Sequence, residues 1–461
     1  MSASSKPDLT TPYDALDALI IGGGPGGSTA ALVLARAGLR VLVLERTRFP
    51  RFHIGESFLP RNFQLFRELG LEEELRTVPQ VEKLGAVLGF ADGSAEVPFW
   101  FDGTFTRGAT TSFNLERAPF DVMLLDAARK AGAQVIEGCA VRGIRRLEEE
   151  HAEVDTDFGP VTARFLIDAS GQATMVGKHL GLRRVLPHLK KAAYFGHFEN
   201  VARAEGKAGG SPIILMSDEG WFWLIPLDET RTSIGVVLDA GFARRLGLPS
   251  EQILPWAIER CAGVRERTAN AVFPDRYHVL ADFSYRCQPY AGPGYFLVGD
   301  AATFVDPIFS TGVCLAMMSA NEAARSILAI HGGASPRRVR RRYRRFLHDS
   351  SAPLFRMVEI YYHHSFRELF LSGGSPLQIQ EAVLTIVAGH VFPRPTFALR
   401  WRLQALRFFA TLQRFVRLAP RLPRFSILAA QPVRAAEDGL PGLPGLPEEE
   451  PAEASSARAS R

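Results

Sequence analysis

The sequence predicts a mixed α/β (α+β) protein: a parallel-sheet domain, an antiparallel sheet inserted into it, and a helical region on its C-terminal side. Three observations carry the prediction. Residues 18–21 and 41–44 are apolar runs of the kind found in strands buried on both faces, and 28–37 between them has a helix's length and composition. Residues 190–290 then change character: strand-like segments at 192–198, 213–217, 221–226 and 232–238 dominate, with one helical stretch near 250–262. The first pattern resumes with a strand at 294–300 and a long helix from Thr311, so the β-rich part reads as an insertion. At 461 residues the chain exceeds a single core. The expected division is 16–190 with 290–375 for the first domain, 191–289 for the inserted sheet, and 376–430 for the helices. Residues 1–15 are expected to be flexible, and 431–461 are too rich in Pro, Gly, Glu and Ser to pack.

Taken in order, the loop at 46–53 leads through Ile54-Gly-Glu-Ser57 to a helix that Pro60 starts. Residues 84–101 alternate and turn at Asp92-Gly93, giving two short strands. A helix at 119–131 carries Phe120, Met123, Leu124 and Ala127 on one face, and strands follow at 134–136, 141–146, 152–156 and 164–169. Ser335-Pro336 is a helix start, and Val339, Tyr343, Phe346 and Leu347 mark the core side of the arginine-rich helix that follows. Residues 376–428 read as helical, with Trp401, Phe408, Leu412 and Phe415 as the docking stripe and Arg400, Arg407, Arg414 and Arg417 facing outward. The same pattern suits a membrane-surface helix.

Composition narrows the classes. Apolar content of 46% and charged content of 22% suit a globular enzyme, and a net charge of +5 does not point to a nucleic-acid partner. The four cysteines (Cys139, Cys261, Cys287, Cys314) lack metal-ligand spacing, so reduced buried thiols and no metal are expected. No secretory signal and no run of 18 uncharged apolar residues is seen, which predicts a cytoplasmic protein without a transmembrane segment.

Between the first two strands Gly22, Gly24 and Gly27 supply G-x-G-x-x-G, with Pro25 inside it. The glycines serve a tight turn, close backbone approach to a pyrophosphate, and close helix–strand packing. The helix start that follows presents unpaired N–H groups to phosphate, and Glu45, ending the second strand, is placed for a ribose hydroxyl pair. A Rossmann-like dinucleotide site follows.

Arg117 before a helix, Asp168-Ala-Ser-Gly171 at a strand end, and Gly299-Asp300 after a strand stand in an order that resembles FAD-dependent oxidoreductases of the aromatic-hydroxylase fold. The resemblance implies FAD held by Gly22, Gly24, Pro25, Gly27, Glu45, Arg46, Glu56, Ser57, Arg117, Asp168, Gly299, Asp300, Pro307 and Gly312. His53, Asp282 and Tyr285 are expected to border the flavin. Trp221-Phe-Trp-Leu-Ile-Pro226 resembles the W-x-W-x-I-P motif of flavin-dependent halogenases. Two indoles two apart on a strand share a face and could wall the flavin off from a large substrate, leaving attack to a small ion. Gln80-Val-Glu-Lys-Leu-Gly-Ala86 resembles the segment bearing that family's essential lysine, which makes Lys83 the implied catalytic group alongside Trp221 and Trp223. A lysine in a partly desolvated site has a lowered pKa and can act as base or nucleophile.

Thr311 and Gly312, adjacent N–H groups at a helix start, are the implied site for chloride or bromide. Where tryptophan halogenases carry a glutamate two residues before that threonine, this chain has Phe309. The departure points to the branch acting on phenols or pyrroles, often on an acyl or peptidyl carrier protein. Carrier proteins are usually acidic, which would suit the basic C-terminal helices. No second G-x-G-x-x-G unit for NAD(P)H is visible, so reduced flavin is expected from a separate reductase. Two other readings stay open on the sequence: an NAD(P)H-dependent aromatic monooxygenase or related flavin reductase, and a catalytically silent binding subunit of the same fold.

Overall fold

The computed structural model describes residues 16–104, 110–281, 284–371, 378–420, 422 and 424–429. The segments expected to be flexible, 1–15 and 431–461, lie outside them, as does Asp282. Five parallel strands run in the order Gln134–Glu137, Val41–Glu45, Leu16–Ile21, Gly159–Asp168 and Tyr295–Leu297. All six residues of Leu16–Ile21 are buried, as a strand covered on both faces requires. Helix Pro25–Arg36 packs between helices Arg117–Lys130 and Gly312–His331. Strand order turns outward on either side of Leu16–Ile21, the place where such sheets open a crevice at their carboxyl ends.

The second sheet has seven strands: His278–Ala281, Lys191–Glu199, Arg231–Asp239, Gly220–Pro226, Ile213–Met216, Gly85–Phe90 and Glu96–Trp100. Its last two come from residues expected in the first domain, and Ile213–Met216 pairs with Gly85–Phe90 in parallel. The sheet is therefore neither confined to 191–289 nor antiparallel throughout. A local reading finds strands but not their long-range partners, which is why this was missed. Alternation sorts its faces. Trp221, Trp223, Phe195 and Ile214 join the main core, whereas Phe222, Leu224, Val236 and Leu238 pack with Ile253, Leu254 and Trp256 of helix Ser250–Arg260.

Helices Pro336–Tyr361, His364–Leu371, Ile379–Val387 and Phe397–Leu412 complete the chain. Among the described residues after Leu412 the chain is no longer helical, and Pro420 has no backbone donor to resume a helix. The docking stripe also differs from expectation. Leu399, Leu403, Leu406 and Ala410 face inward, while Trp401, Phe408 and Phe415 are 46%, 62% and 80% exposed. The spacing of four, three and four holds one face of a 3.6-residue helix against the body. The sevenfold spacing of the aromatics, each beside an arginine, runs along the adjacent, outer face.

Among the described residues one helix, Gly312–His331, is long and apolar enough to cross a membrane. Its apolar window is 72% buried inside the protein, so it is a core helix. All four cysteines are buried and free.

Candidate active site

The parallel register brings the glycine loop, Glu45, Asp168 and Gly299-Asp300 to one edge: Ile21 is level with Leu44 and Asp168, and Asp168 with Leu297. In the loop, a Cβ on Gly27 would lie 1.8 Å from the Gly22 carbonyl oxygen, so helix and turn touch there. The Gly23 N–H donates to Glu45 Oε2 (2.8 Å), and Thr47 donates to Oε1 through its N–H (2.9 Å) and hydroxyl (2.7 Å). Glu45 thus braces the loop beside which it would meet a ribose. Asp168 is fully buried and accepts from the Ser170 and Val176 N–H groups, shaping the 169–176 turn. Burial pushes its carboxyl above the usual range. Asp300 is half-buried, and desolvation, partly opposed by the Arg117 charge, raises it to about 7. Tyr285 donates from its hydroxyl to the Asp300 carbonyl (2.8 Å).

Arg117 grips Asp121 with two bonds of 2.9 and 3.0 Å and donates to the Ile54 carbonyl (2.7 Å), fixing the segment before Gly55. Desolvation, aided by the charges of Arg117 and Arg51, depresses the neighbouring His53 to about 4. Asp121 also pairs with Arg51 at 3.3 Å. Arg51 Nη1 makes that pair, and its Nη2 lies 3.4 Å from where a Gly24 Cβ would stand. Arg51 therefore stands beside the glycine loop. Arg46 is exposed. A guanidinium Nη2 beside the glycine loop, the loop itself and a helix start fit the pyrophosphate of FAD.

Lys83 is only 2% exposed and ends the short strand Gln80–Lys83. It donates to Ser57 Oγ (2.8 Å) and to the Phe58 carbonyl (2.9 Å). Burial alone drops it to about 7. A neutral amine has two N–H donors; both are used here, and the lone pair is left for an electrophile. Glu56, next to Ser57, is hydrogen-bonded to His197 of the second sheet at 2.5 Å. Burial lowers the His197 pKa, but the Glu56 bond and charge outweigh it and the net shift is upward.

Trp221 and Trp223 are both buried, 5.8 Å apart on one face of their strand. Trp223 Nε1 donates to Ser233 Oγ (3.1 Å). Trp221 Nε1 donates to Tyr362 Oη (3.1 Å), which donates in turn to Asp306 Oδ2 (2.6 Å). Asp306 also accepts from the Ile308 N–H (3.1 Å), so one buried carboxyl ties the indole strand to the Pro307–Phe309 turn. Burial, opposed by these bonds, raises it to about 6. Ser310 is left-handed (φ 54°) and Thr311 right-handed, an alternation of the kind that forms backbone nests. Gly312 is exposed, and an added Cβ there would meet open space among the described residues.

Next to the lysine, a cavity lies between the second sheet, the Pro307–Phe309 turn and the C-terminal helices. Phe99, Phe101, Phe309, Tyr361, Phe366 and Phe370 are among its walls. Phe101 lies on both sides of the argument: it lines the cavity, and its ring centre is 5.4 Å from Lys83 Nζ. Among the described residues no cluster suits a metal ion.

A model of the FAD binding domain matches residues 15–351. The chain is 31% identical over 338 residues to the 1H-pyrrole-2-carbonyl-[peptidyl-carrier protein] chlorinase of Pseudomonas fluorescens, covering 68% of this chain and 75% of that one. It is 34% identical over 353 residues to the flavin-dependent halogenase armH5 of Armillaria mellea (71% and 66% covered). Among solved structures, the myxobacterial chondrochloren halogenase CndH superposes with a TM-score of 0.70 at 29% identity, over 86% of this chain and 97% of that one. The chain belongs to the flavin-dependent halogenases. It is accordingly an FAD-dependent enzyme with halide as a substrate, and the α/β reading of the fold stands.

Sequence reasoning on the halogenase missed Arg51, Asp121, His197, Asp306, Tyr361 and Tyr362. The spacing of Arg117 and Asp121, one helical turn, was a usable signal. Asp306 could have been read as the cap of its proline turn. Glu56 and His197 stand 141 positions apart, and nothing local connects them.

Proposed function

We propose that this halogenase modifies a neutral, electron-rich ring, a phenol or pyrrole carried on an acidic carrier protein, and that Lys83 delivers the halogen. The observation that supports this most directly is the buried amine of Lys83 beside an aromatic cavity. Reduced FAD, supplied by a separate reductase, would with oxygen and halide furnish hypohalous acid. The glycine loop, Arg51, Arg117 and Asp300 would hold the cofactor, and Thr311 and Gly312 the halide. Trp221 and Trp223 would keep the ring from the flavin while letting a small oxidant pass. The Lys83 amine then gains an N–X bond as water leaves. The ring carbon takes the halogen, the N–X bond breaks, and the ring proton restores the amine. Four buried free thiols suit a reducing cytoplasm.

Supplying the enzyme with reductase, NADH, FAD, oxygen and bromide or chloride, and with tethered and free arenes, tests the reading. Mass spectrometry should show halogen isotope patterns; a gain of one oxygen instead would make the enzyme a hydroxylase. The lysine also predicts a pH profile. Its lowered pKa leaves the nitrogen charged below about 7 and free above it, so the single-turnover rate of halogen transfer should rise through pH 7 and then level. A rate falling with pH would argue for the ammonium form as donor.

For the carrier, the outer face of helix Phe397–Leu412 offers the surface. Between Glu381 and Glu437 the chain has nine arginines and no acidic residue. Helix Ile379–Val387, which lines the cavity, packs directly against this helix. An acidic domain seated there would stand one helix from the lysine pocket. Arg407→Glu with Arg414→Glu should lower kcat/KM for the carrier-bound arene by roughly tenfold or more, leaving the free arene unaffected. Equal loss on both substrates would remove this face from the proposal.

A further inference from the structure

We propose that the Tyr361 hydroxyl binds the polar substituent of the acceptor ring and so sets which carbon faces Lys83. The inference rests on the cavity beside Lys83, about 40 Å³ in this structure, widening to admit the acceptor ring. Among the described residues, all that line the cavity are apolar except Tyr361. Tyr361 is fully buried, and its hydroxyl has no hydrogen-bond partner among the described residues. The adjacent Tyr362 hydroxyl is bonded on both sides, to Trp221 and Asp306, so Tyr361 stands out against its neighbour. Buried hydroxyls are nearly always paired, and one left unpaired on a residue that lines a cavity is a place for a ligand atom.

Phe309 packs edge-on against the Tyr361 ring, 5.9 Å away at 83°. Phe309 itself brings no charge to the acceptor, and the buried Arg367 guanidinium, 5.8 Å from the Tyr361 ring centre, is not among the residues lining the cavity. The phenol can donate to an aryl carbonyl or accept from a pyrrole N–H or phenol O–H. Burial raises its pKa, which keeps the proton on it. The chemical class that matches is a planar, uncharged arene with one hydrogen-bonding substituent. A free amino acid would bury two charges against walls of phenylalanine, leucine and valine.

Calorimetry on the FAD-loaded enzyme can test this with phenol and toluene, arenes of similar size that differ in the polar group. Tyr361→Phe removes only the unpartnered oxygen, so the variant should melt no lower than the wild type. Phenol should bind the variant about tenfold more weakly, and toluene equally to both proteins. With phenol as acceptor, wild type should favour one halogenated isomer and the variant should give a mixture. Unchanged phenol affinity, or an equal loss for phenol and toluene, would overturn the assignment. The binding comparison needs no turnover. Intact selectivity for phenol in an enzyme that never halogenates would sink the proposed function and leave this inference standing.

Discussion

Lys83→Ala is expected to abolish halogenation, with a fall of at least about a thousandfold, while FAD binding and the oxidation of reduced flavin persist. The separation follows from where the lysine sits. Its nitrogen bonds Ser57 Oγ and the Phe58 carbonyl and lies against Phe101, whereas the glycine loop is braced by Glu45 and Arg51 is held by Asp121. Alanine leaves two buried acceptors without donors and a void behind them, so some loss of stability should accompany the loss of activity. Lys83→Met refills most of the void without restoring the amine. If both variants bind FAD stoichiometrically, consume reduced flavin and yield no halogenated arene, the lysine's role is chemical. Halogenation retained in the methionine variant would remove Lys83 from the mechanism.

What the sequence disclosed follows the range of each interaction. The glycine loop, the strand ending at Asp168 and the paired indoles are local patterns, a few residues long, and their chemistry is carried by their own spacing. Lys83 became a candidate because its segment resembles a family motif, not because a lone lysine declares itself. The wall of the cavity beside it was not legible at all. Tyr361 and Phe370 come from the C-terminal helices and Phe99 from a strand more than 250 positions earlier, and only packing brings them together. The Trp401, Phe408 and Phe415 stripe shows the opposite failure. Its regular spacing suggested a buried face, but Leu399, Leu403 and Leu406 follow the helical period better and took the core.

The glycine loop supports a prediction of comparable size. Gly27→Ala should remove FAD binding and cost about 3 kcal/mol or more of stability. The added Cβ would stand 1.8 Å from the Gly22 carbonyl oxygen and 3.2 Å from Ile20 Cγ2. The first contact is against a backbone oxygen and cannot relax by a side-chain rotation. The helix must then lift from the strand, taking with it the N–H groups meant for phosphate. Gly24→Ala differs in kind. Its Cβ would meet only the Arg51 side chain, at 3.4 Å, a distance that a flexible guanidinium accommodates. That variant should melt close to wild type, yet bind FAD more weakly because the methyl occupies the approach to the pyrophosphate. Flavin absorbance after desalting and thermal melts of the apo proteins separate the two effects. A Gly27→Ala protein that keeps its flavin and its melting temperature would show that helix and turn are less tightly joined than their geometry requires.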